Sequence, residues 1–418
     1  EESTMAQRKK LVHLDLKGPP ESGIPLIELF SQLGVDGLLL EYEDMFPYEG
    51  ELRLLQATAQ PAYSREEVLS VQELARSKGM EVIPLVQTFV TWRDGTLRGT
   101  LNPHREEGVR LVMEMLRQVV ELHPGLNTLH IGADEVYMLG EGEESKLWLA
   151  APGRTVEQLF LSHVTKVARA IKEAWPHMTI VMWDDMMRSM SPDTLKASGL
   201  VGLVQPMLWD YTPNLTYHSA GMSELWAASS FKGSTSNHLQ WLKVAASLSA
   251  GIHLKGIAIT VLCELIPVAL PSLAACLQTL LHGQFSAEVQ SKVAEKAGCF
   301  LSGSGGHGEV SFNFSALVEK RKMNSSLCSH CRFVRGWFSP YQRQRRTVTP
   351  LITMQIHSQA SEYLTILQQK VEAVREEMVQ LYPDSTVQEW IEEHVIPVMA
   401  PLQRITEDIT ACVKEMVP

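Results

Sequence analysis

The chain has 418 residues, of which 45% are hydrophobic, 20% charged and 7% aromatic, a globular composition that excludes intrinsic disorder. Its 37 lysines and arginines face 48 aspartates and glutamates, a net charge of −11, so the broad positive field that nucleic acid or an anionic membrane requires is missing and neither is expected as a main partner. No window approaches 18 uninterrupted apolar residues, and the polar stretch from Glu1 to Lys10 has no apolar signal core, which points to the cytosol or nucleus as the working compartment.

In chain order, short apolar runs predict strands at Leu11 to Leu16, Gly37 to Glu41, Glu81 to Gln87, Thr128 to Gly132, Thr179 to Trp183, Leu203 to Trp209, Glu224 to Ser229 and Gly256 to Thr260. Their nearly continuous apolar character is that of strands buried on both faces. Helical spacing fills the intervals: Pro25 to Leu33, Arg65 to Lys78 behind the N-cap candidate Ser64, Glu106 to Leu122, Val156 to Glu173, Pro192 to Ala197 and Asn237 to Ala250. A further helix, Ser272 to Leu281, follows the last strand. This alternation predicts an α/β fold, a (β/α)8 TIM barrel over residues 8–300. A doubly wound sheet is the alternative, but no G-x-G-x-x-G follows any strand.

Beyond the barrel, the glycine-rich stretch at 302–308 reads as a flexible join to a C-terminal helical region, 309–418, packed on the barrel or on a dimer partner. Apolar residues at helical spacing run from Val348 to Leu381 and from Thr386 to Val417, with breaks expected at Pro383, Pro397 and Pro401. Arg343, Arg345 and Arg346 follow Trp337 and Tyr341, a basic and aromatic cluster suited to docking the tail or, alternatively, to an RNA contact. Of six cysteines, Cys263, Cys276, Cys299 and Cys412 stand alone and are expected to be reduced thiols. Cys328 and Cys331 flank His330, but no second pair completes the four ligands of a structural zinc.

In a TIM barrel, reactive side chains gather at the C-terminal ends of the strands. Those ends carry Asp15 and Lys17; Glu41, Tyr42, Glu43 and Asp44; Gln87; Asp134 and Glu135; Trp183, Asp184 and Asp185; Trp209, Asp210 and Tyr211; Trp226; and Glu264. Asp134 and Glu135 are adjacent, and consecutive strand residues point to opposite sides, so the two acids are expected to do different jobs. Glycoside hydrolysis needs such a division, with one acid to protonate the leaving oxygen and one group to handle positive charge at the anomeric carbon. Trp183, Trp209 and Trp226 offer flat apolar walls for a sugar, or are structural tryptophans under loops. Carboxylates on successive strands also suit an enolase-like or aldolase-like site holding a divalent metal. A Schiff-base reading needs a lysine, and only Lys17 lies near a strand end. The remaining alternative is a catalytically silent barrel that binds glycans or proteins.

The runs Leu11 to Gly18, Glu41 to Gly50, Val82 to Phe89, Leu129 to Tyr137, Trp183 to Asp185, Leu208 to Tyr211 and Gly336 to Tyr341 together resemble the intracellular branch of the family 20 β-N-acetylhexosaminidases. The resemblance implies an exo-acting glycosidase that removes N-acetylgalactosamine or N-acetylglucosamine with substrate assistance, without metal or organic cofactor, and with a homodimer as one expected state. It makes Glu135 the acid and base and Asp134 the orienting group for the acetamido side chain. Tyr211 becomes a donor to the acetamido oxygen, Trp183 and Trp209 pocket walls, and Asp15, Lys17 and Glu264 hydroxyl binders, while Asp184 is expected to bind substrate from its place at a strand end alone. Two connections are shorter than the family pattern, after Phe89 and after Thr260, and the join around Ser219 is barely long enough for a parallel crossover.

Overall fold

The structure, a computed structural model, describes residues 8–16, 24–57, 61–89, 101–212, 215, 221–231, 235–262, 266–286, 288–289, 291, 293, 334, 337–345, 347–379 and 384–416. They fall into two compact units, 1–296 and 297–418. No helix among the described residues is long and apolar enough to cross a membrane.

The first unit is a closed barrel of eight parallel strands in sequence order. These are β1 (Lys9–Asp15), β2 (Gly37–Glu41), β3 (Glu81–Leu85), β4 (Thr128–His130), β5 (Thr179–Trp183), β6 (Val204–Trp209), β7 (Glu224–Ser230) and β8 (His253–Leu262), with β1 pairing with both β2 and β8. The helices are α1 (Ile24–Gln32), α2 (Arg65–Ser77), α3 (Glu106–Glu121), α4 (Glu143–Leu149), α5 (Val156–Ala174), α6 (Pro192–Ser198), α7 (Ser236–Ala246) and α8 (Ile266–His282). In α3, buried Val112, Met115, Leu116 and Val119 recur at helical spacing and make one inward stripe. Ser64 caps α2 reciprocally, accepting from the Glu67 amide at 3.1 Å while the Glu67 carboxylate accepts from its own at 2.7 Å.

Side chains alternate along each strand, so every second residue enters the barrel. Leu11, Leu39, Ile83, Leu85, Val181, Trp183, Met207, Trp226, Ala228 and Ala258 form one buried interior cluster with Trp209 against it. Trp226 corrects an expectation. It does not end its strand but is the third residue of β7, and its indole donates to Gln205 at 2.8 Å inside the lower barrel. Room for it comes from Gly256, where a Cβ would stand 2.9 Å from the indole and 2.6 Å from the Lys9 carbonyl oxygen.

The second unit contains α9 (Pro340–Gln344), α10 (Pro350–Met378), α11 (Asp384–Trp390), a wide π turn (Ile391–Val395) and α12 (Ile396–Met416). Val334, Phe338, Val348, Ile356, Ala360, Ile405 and Ile409 form its main core. Helix α12 runs through Pro401, where the sequence predicts a break, and the break expected at Pro397 is absorbed beside the wide turn, which loosens the ladder where a proline supplies no amide donor, while Pro383 lies outside the described residues. Arg343 lies over Phe338 and pairs with Asp408, and Arg345 lies over Tyr341. The glycine-rich join, Cys328, His330, Cys331 and Arg346 lie outside the described residues.

Candidate active site

The fourth strand is shorter than its apolar run predicts. It ends at His130, and the chain then enters a turn in which Gly132, Ala133 and Glu135 have φ of 61°, 65° and 50°. Left-handed backbone costs a residue with a side chain about 1–2 kcal/mol, so the turn needs outside support. The Ile131 amide donates to the Val181 carbonyl (2.8 Å), Gly132 to His130 Nδ1 (3.0 Å), Ala133 to Gln87 Oε1 (3.1 Å) and Glu135 to Asp185 Oδ2 (2.9 Å). Position 132 must be glycine, since a Cβ there would lie 2.2 Å from Gln87 Oε1.

Asp134 and Glu135 therefore diverge because of this turn and not because of strand alternation. Asp134 is half-buried and Glu135 exposed. Gln87 Nε2 donates to Asp134 Oδ1 at 2.9 Å and to Glu41 Oε1 at 3.0 Å, and the bond it accepts from Ala133 establishes which way its amide faces. Burial, reinforced by the Glu41 carboxylate and then by Asp185, pushes Asp134 up to about 6 against the opposing pull of the Gln87 bond. Glu135 accepts from the Tyr137 hydroxyl at 2.8 Å, and that bond raises the Tyr137 phenol. Tyr137 is 77% exposed and stands on the rim. Asp134 thus lies near its ionisation point within the mouth while Glu135 faces solvent at the rim, so the two adjacent acids occupy different environments.

Around them, Trp183 is buried with its ring 5.5 Å from His13 and 4.6 Å from His130, a floor more than a wall. His130 is wholly buried and held down to about 3 by burial, with His13 adding to the effect. Trp209 donates from its indole to Asp185 Oδ1 at 3.4 Å and lies 5.8 Å from the Tyr211 ring. Asp184 does not face the mouth with free oxygens. Arg188 grips both of them at 2.8 and 3.1 Å, and the Trp209 amide donates to Oδ1 at 3.2 Å. Desolvation raises the Tyr211 phenol, with Asp134 and Glu135 adding to the shift and Thr260 opposing it. Asp15 is buried at the end of β1, in register with Glu41 and Leu262. Lys17 and Glu264 lie outside the described residues. So do residues 90–100 of the short connection after Phe89, whose ends meet where the Leu101 amide donates to the Phe89 carbonyl at 3.1 Å. Among the described residues, no three His, Cys, Asp or Glu side chains are grouped as around a metal ion.

Sequence reasoning assigned no task to His13, Gln87, Tyr137, Arg188 or Thr260. His13 was within reach of it, because a polar residue two places before Asp15 on a buried strand shares its inward face.

Residues 52–216 match the model of the glycosyl hydrolase family 20 catalytic domain. A hexosaminidase D from Homo sapiens is 42% identical over an alignment of 465 residues, taking in 96% of this chain and 94% of that protein. A hexosaminidase D from Bos taurus is 46% identical over 332 residues, 68% of this chain and 95% of that one. The chain accordingly belongs to glycosyl hydrolase family 20, within its hexosaminidase D group. It is a glycoside hydrolase, a β-hexosaminidase. The human alignment spans more positions than this chain has residues, so that relative carries inserted stretches. The barrel is also similar to a chitobiase from Flavobacterium johnsoniae (TM-score 0.52, 14% identity, 96% of this chain and 71% of that one). A β-N-acetylhexosaminidase from Bacteroides fragilis shares the fold at TM-score 0.50 and 12% identity, over 65% of each chain.

Proposed function

We propose that the protein is an exo-β-N-acetylhexosaminidase that releases terminal non-reducing N-acetylgalactosamine or N-acetylglucosamine from glycoconjugates, retaining the anomeric configuration by substrate assistance. The observation that carries this reading is the placement of adjacent acids at the end of the fourth strand: Asp134 half-buried with one oxygen held by the Gln87 amide, Glu135 exposed at the rim where a leaving group would stand. In the first step Glu135 gives its proton to the leaving oxygen while the substrate's acetamido oxygen attacks the anomeric carbon. An oxazolinium ion forms, and Glu135 then takes a proton from the water that opens it. This is the substrate-assisted exception to the scheme of two carboxylates.

Asp134 has one oxygen occupied by Gln87, which leaves the other to accept from the acetamido N–H and to offset the positive ring. Tyr211 donates to the acetamido oxygen, Trp209 flanks the sugar and Trp183 closes the floor. Asp15 and Glu264 are assigned to sugar hydroxyls. Asp184 serves by anchoring Arg188 and the backbone of Trp209. Since the mechanism needs Asp134 ionised, activity belongs above about pH 6, which supports a neutral compartment, the cytosol or nucleus.

Release of 4-nitrophenol from the β-N-acetylgalactosaminide, β-N-acetylglucosaminide and β-glucoside across pH 4 to 8 tests the reading. Turnover confined to the two N-acetylated substrates is expected. Comparable turnover of the glucoside would defeat substrate assistance, and no turnover of any would defeat the activity.

A further inference from the structure

Immediately past Glu135 the chain carries a surface that the mechanism leaves unused. Val136 and Leu139 are buried, while the two side chains between them, Tyr137 and Met138, are 77% and 62% exposed. The turn that presents them is tied in place. The Tyr137 amide donates to the Glu135 carbonyl at 2.8 Å, and the Glu141 amide to the Met138 carbonyl at 3.3 Å. Gly140, with φ of 92°, backs onto Leu149 of α4, which a Cβ there would meet at 3.1 Å. A single exposed apolar residue is ordinary, but two large ones side by side, anchored by buried neighbours next to an acid at a barrel mouth, mark a surface shaped for contact.

Tyr137 is also held at its tip. Its hydroxyl donates to Glu135 Oε1 at 2.8 Å, so the ring is fixed at backbone and phenol while its faces meet solvent. The bond distinguishes the two oxygens of Glu135. A general acid must carry its proton on an oxygen free to come within about 2.6–3.2 Å of the atom it protonates. Oε1 is occupied as the acceptor of the phenol, which assigns the transferable proton to Oε2. The leaving oxygen and the Tyr137 hydroxyl then stand on the two oxygens of one carboxyl group, and the first ring of the leaving group comes beside Tyr137 and Met138.

We propose that Tyr137 and Met138 form the subsite for the leaving group, a shelf that takes a flat apolar face, the C–H face of the next sugar or an aryl ring, and that the Tyr137 hydroxyl positions the Glu135 carboxyl. The inference rests on the reading of Glu135 as the acid. A tyrosine suits both tasks, since its polar tip engages the acid while its apolar body stays open for contact. The thioether of Met138 adapts to the edge of whatever lies on the ring. An open shelf selects by contact and not by enclosure, so a large glycoconjugate can extend past it into solvent.

Two variants separate the two tasks: Tyr137→Phe removes the hydroxyl and keeps the ring, and Tyr137→Ala removes both. Relative to Tyr137→Phe, Tyr137→Ala should lose roughly three- to tenfold in kcat/KM on 4-nitrophenyl N-acetylhexosaminides and on a β-linked N-acetylhexosaminyl disaccharide, the size of one aromatic contact. A larger loss on the disaccharide identifies a glycan as the better occupant, and a larger loss on the nitrophenyl glycoside an aryl group. On the trifluoroethyl glycoside, whose leaving group has no ring, the two variants should be equal. They should also bind an N-acetylhexosamine thiazoline equally, because it has no leaving group. An equal loss on the trifluoroethyl glycoside, or weaker thiazoline binding by Tyr137→Ala alone, would show a general disturbance of the site and overturn the shelf. The hydroxyl is read separately. Against wild type, Tyr137→Phe should lower kcat more on the trifluoroethyl glycoside than on the 2,4-dinitrophenyl one, which needs little protonation, and equal losses would overturn the positioning role. Met138→Ala should repeat the loss on ring-bearing substrates at a smaller scale, and no loss would remove Met138 from the shelf. Wild-type protein that turns over no glycoside defeats the hexosaminidase reading itself. Normal wild-type turnover, with Tyr137→Ala matching Tyr137→Phe on every substrate, defeats the shelf alone.

Discussion

The two ends of the barrel treat their acids differently. At the end where the strands begin, Glu81 pairs with Lys9 at 2.6 Å, Asp36 with Lys10 at 2.6 Å and Glu224 with Lys255 at 3.2 Å, every acid partly exposed and matched by a lysine. At the end where the strands finish, Asp184 keeps an arginine, Arg188, but Asp134 is held by an amide, Glu135 by a phenol, and Asp185 by a backbone amide and an indole. Neutral donors hold an acid in place without cancelling its charge, so the repulsion that raises Asp134 survives. Ion pairs at a wet surface stabilise by about 0–1 kcal/mol each. One end therefore adds a little stability, while the other gives some up for reactivity.

Breaking the upper end should cost most in rate. Glu135→Gln keeps shape and removes the transferable proton, with an expected loss of about 10² to 10⁴ in kcat on alkyl N-acetylhexosaminides. The loss should be far smaller on 2,4-dinitrophenyl glycosides, whose leaving group needs little protonation; equal losses would show that Glu135 is not the acid. Asp134→Asn removes the charge that offsets the oxazolinium ion, at an expected cost of about 10² to 10³. The wild-type rise in kcat/KM through about pH 6, as Asp134 ionises, should be absent from that variant. Thiazoline affinity should fall with it.

Gly132→Ala attacks the same site through the backbone. The added Cβ would meet Gln87 Oε1 at 2.2 Å with φ at 61°, so Gln87 must move, and a loss of about 1–3 kcal/mol in stability should accompany a fall in activity. A crystal structure of the variant with Gln87 unmoved would contradict this account. Smaller effects per group come from four buried histidines, His123 and His238 held down to about 4, His130 to about 3 and His163 also lowered, all chiefly by burial. The unfolded chain takes up protons that the folded one refuses, so stability present above pH 6.5 is lost as the pH falls towards 4. Asp134 works the other way, because its raised value lets the folded state hold the extra proton between about 4 and 6. Asp184 is also raised by burial, and four histidines against these two acids should bring the thermal midpoint down over that range, as calorimetry can check.

The smallest effect belongs to the lower end. Lys255→Met should change stability by no more than about 1 kcal/mol and leave kcat/KM unchanged. A large fall in activity from that substitution would erase the contrast between the two ends.

Much of the barrel was legible because both faces of its strands are buried, so stretches such as Gly37 to Leu40 and Ile180 to Trp183 run without a charged or hydroxyl-bearing residue. The strand β8 was harder to read, since His253 and Lys255 near its start are polar and lie at the wet lower rim. Helix α4 escaped notice because a seven-residue helix with only Ser145 buried shows no apolar stripe. Trp226 read as a strand end because nothing local reveals how far up the barrel a side chain sits.

By itself, the sequence determined the alternation of strands and helices, the crowd of polar groups after the strands and the adjacency of Asp134 and Glu135. Those are properties of spacing along one chain, which periodic burial makes visible. Only the tertiary structure decided which neighbour would be the perturbed acid. The groups that set Asp134 are Glu41, Gln87 and Asp185, between 47 and 93 residues away in sequence, and closure of the barrel brings them to it. The turn that separates the two acids likewise depends on bonds to Gln87, Val181 and Asp185. Electrostatic shifts depend on distance in space and on exclusion of water, and a linear order of residues contains neither.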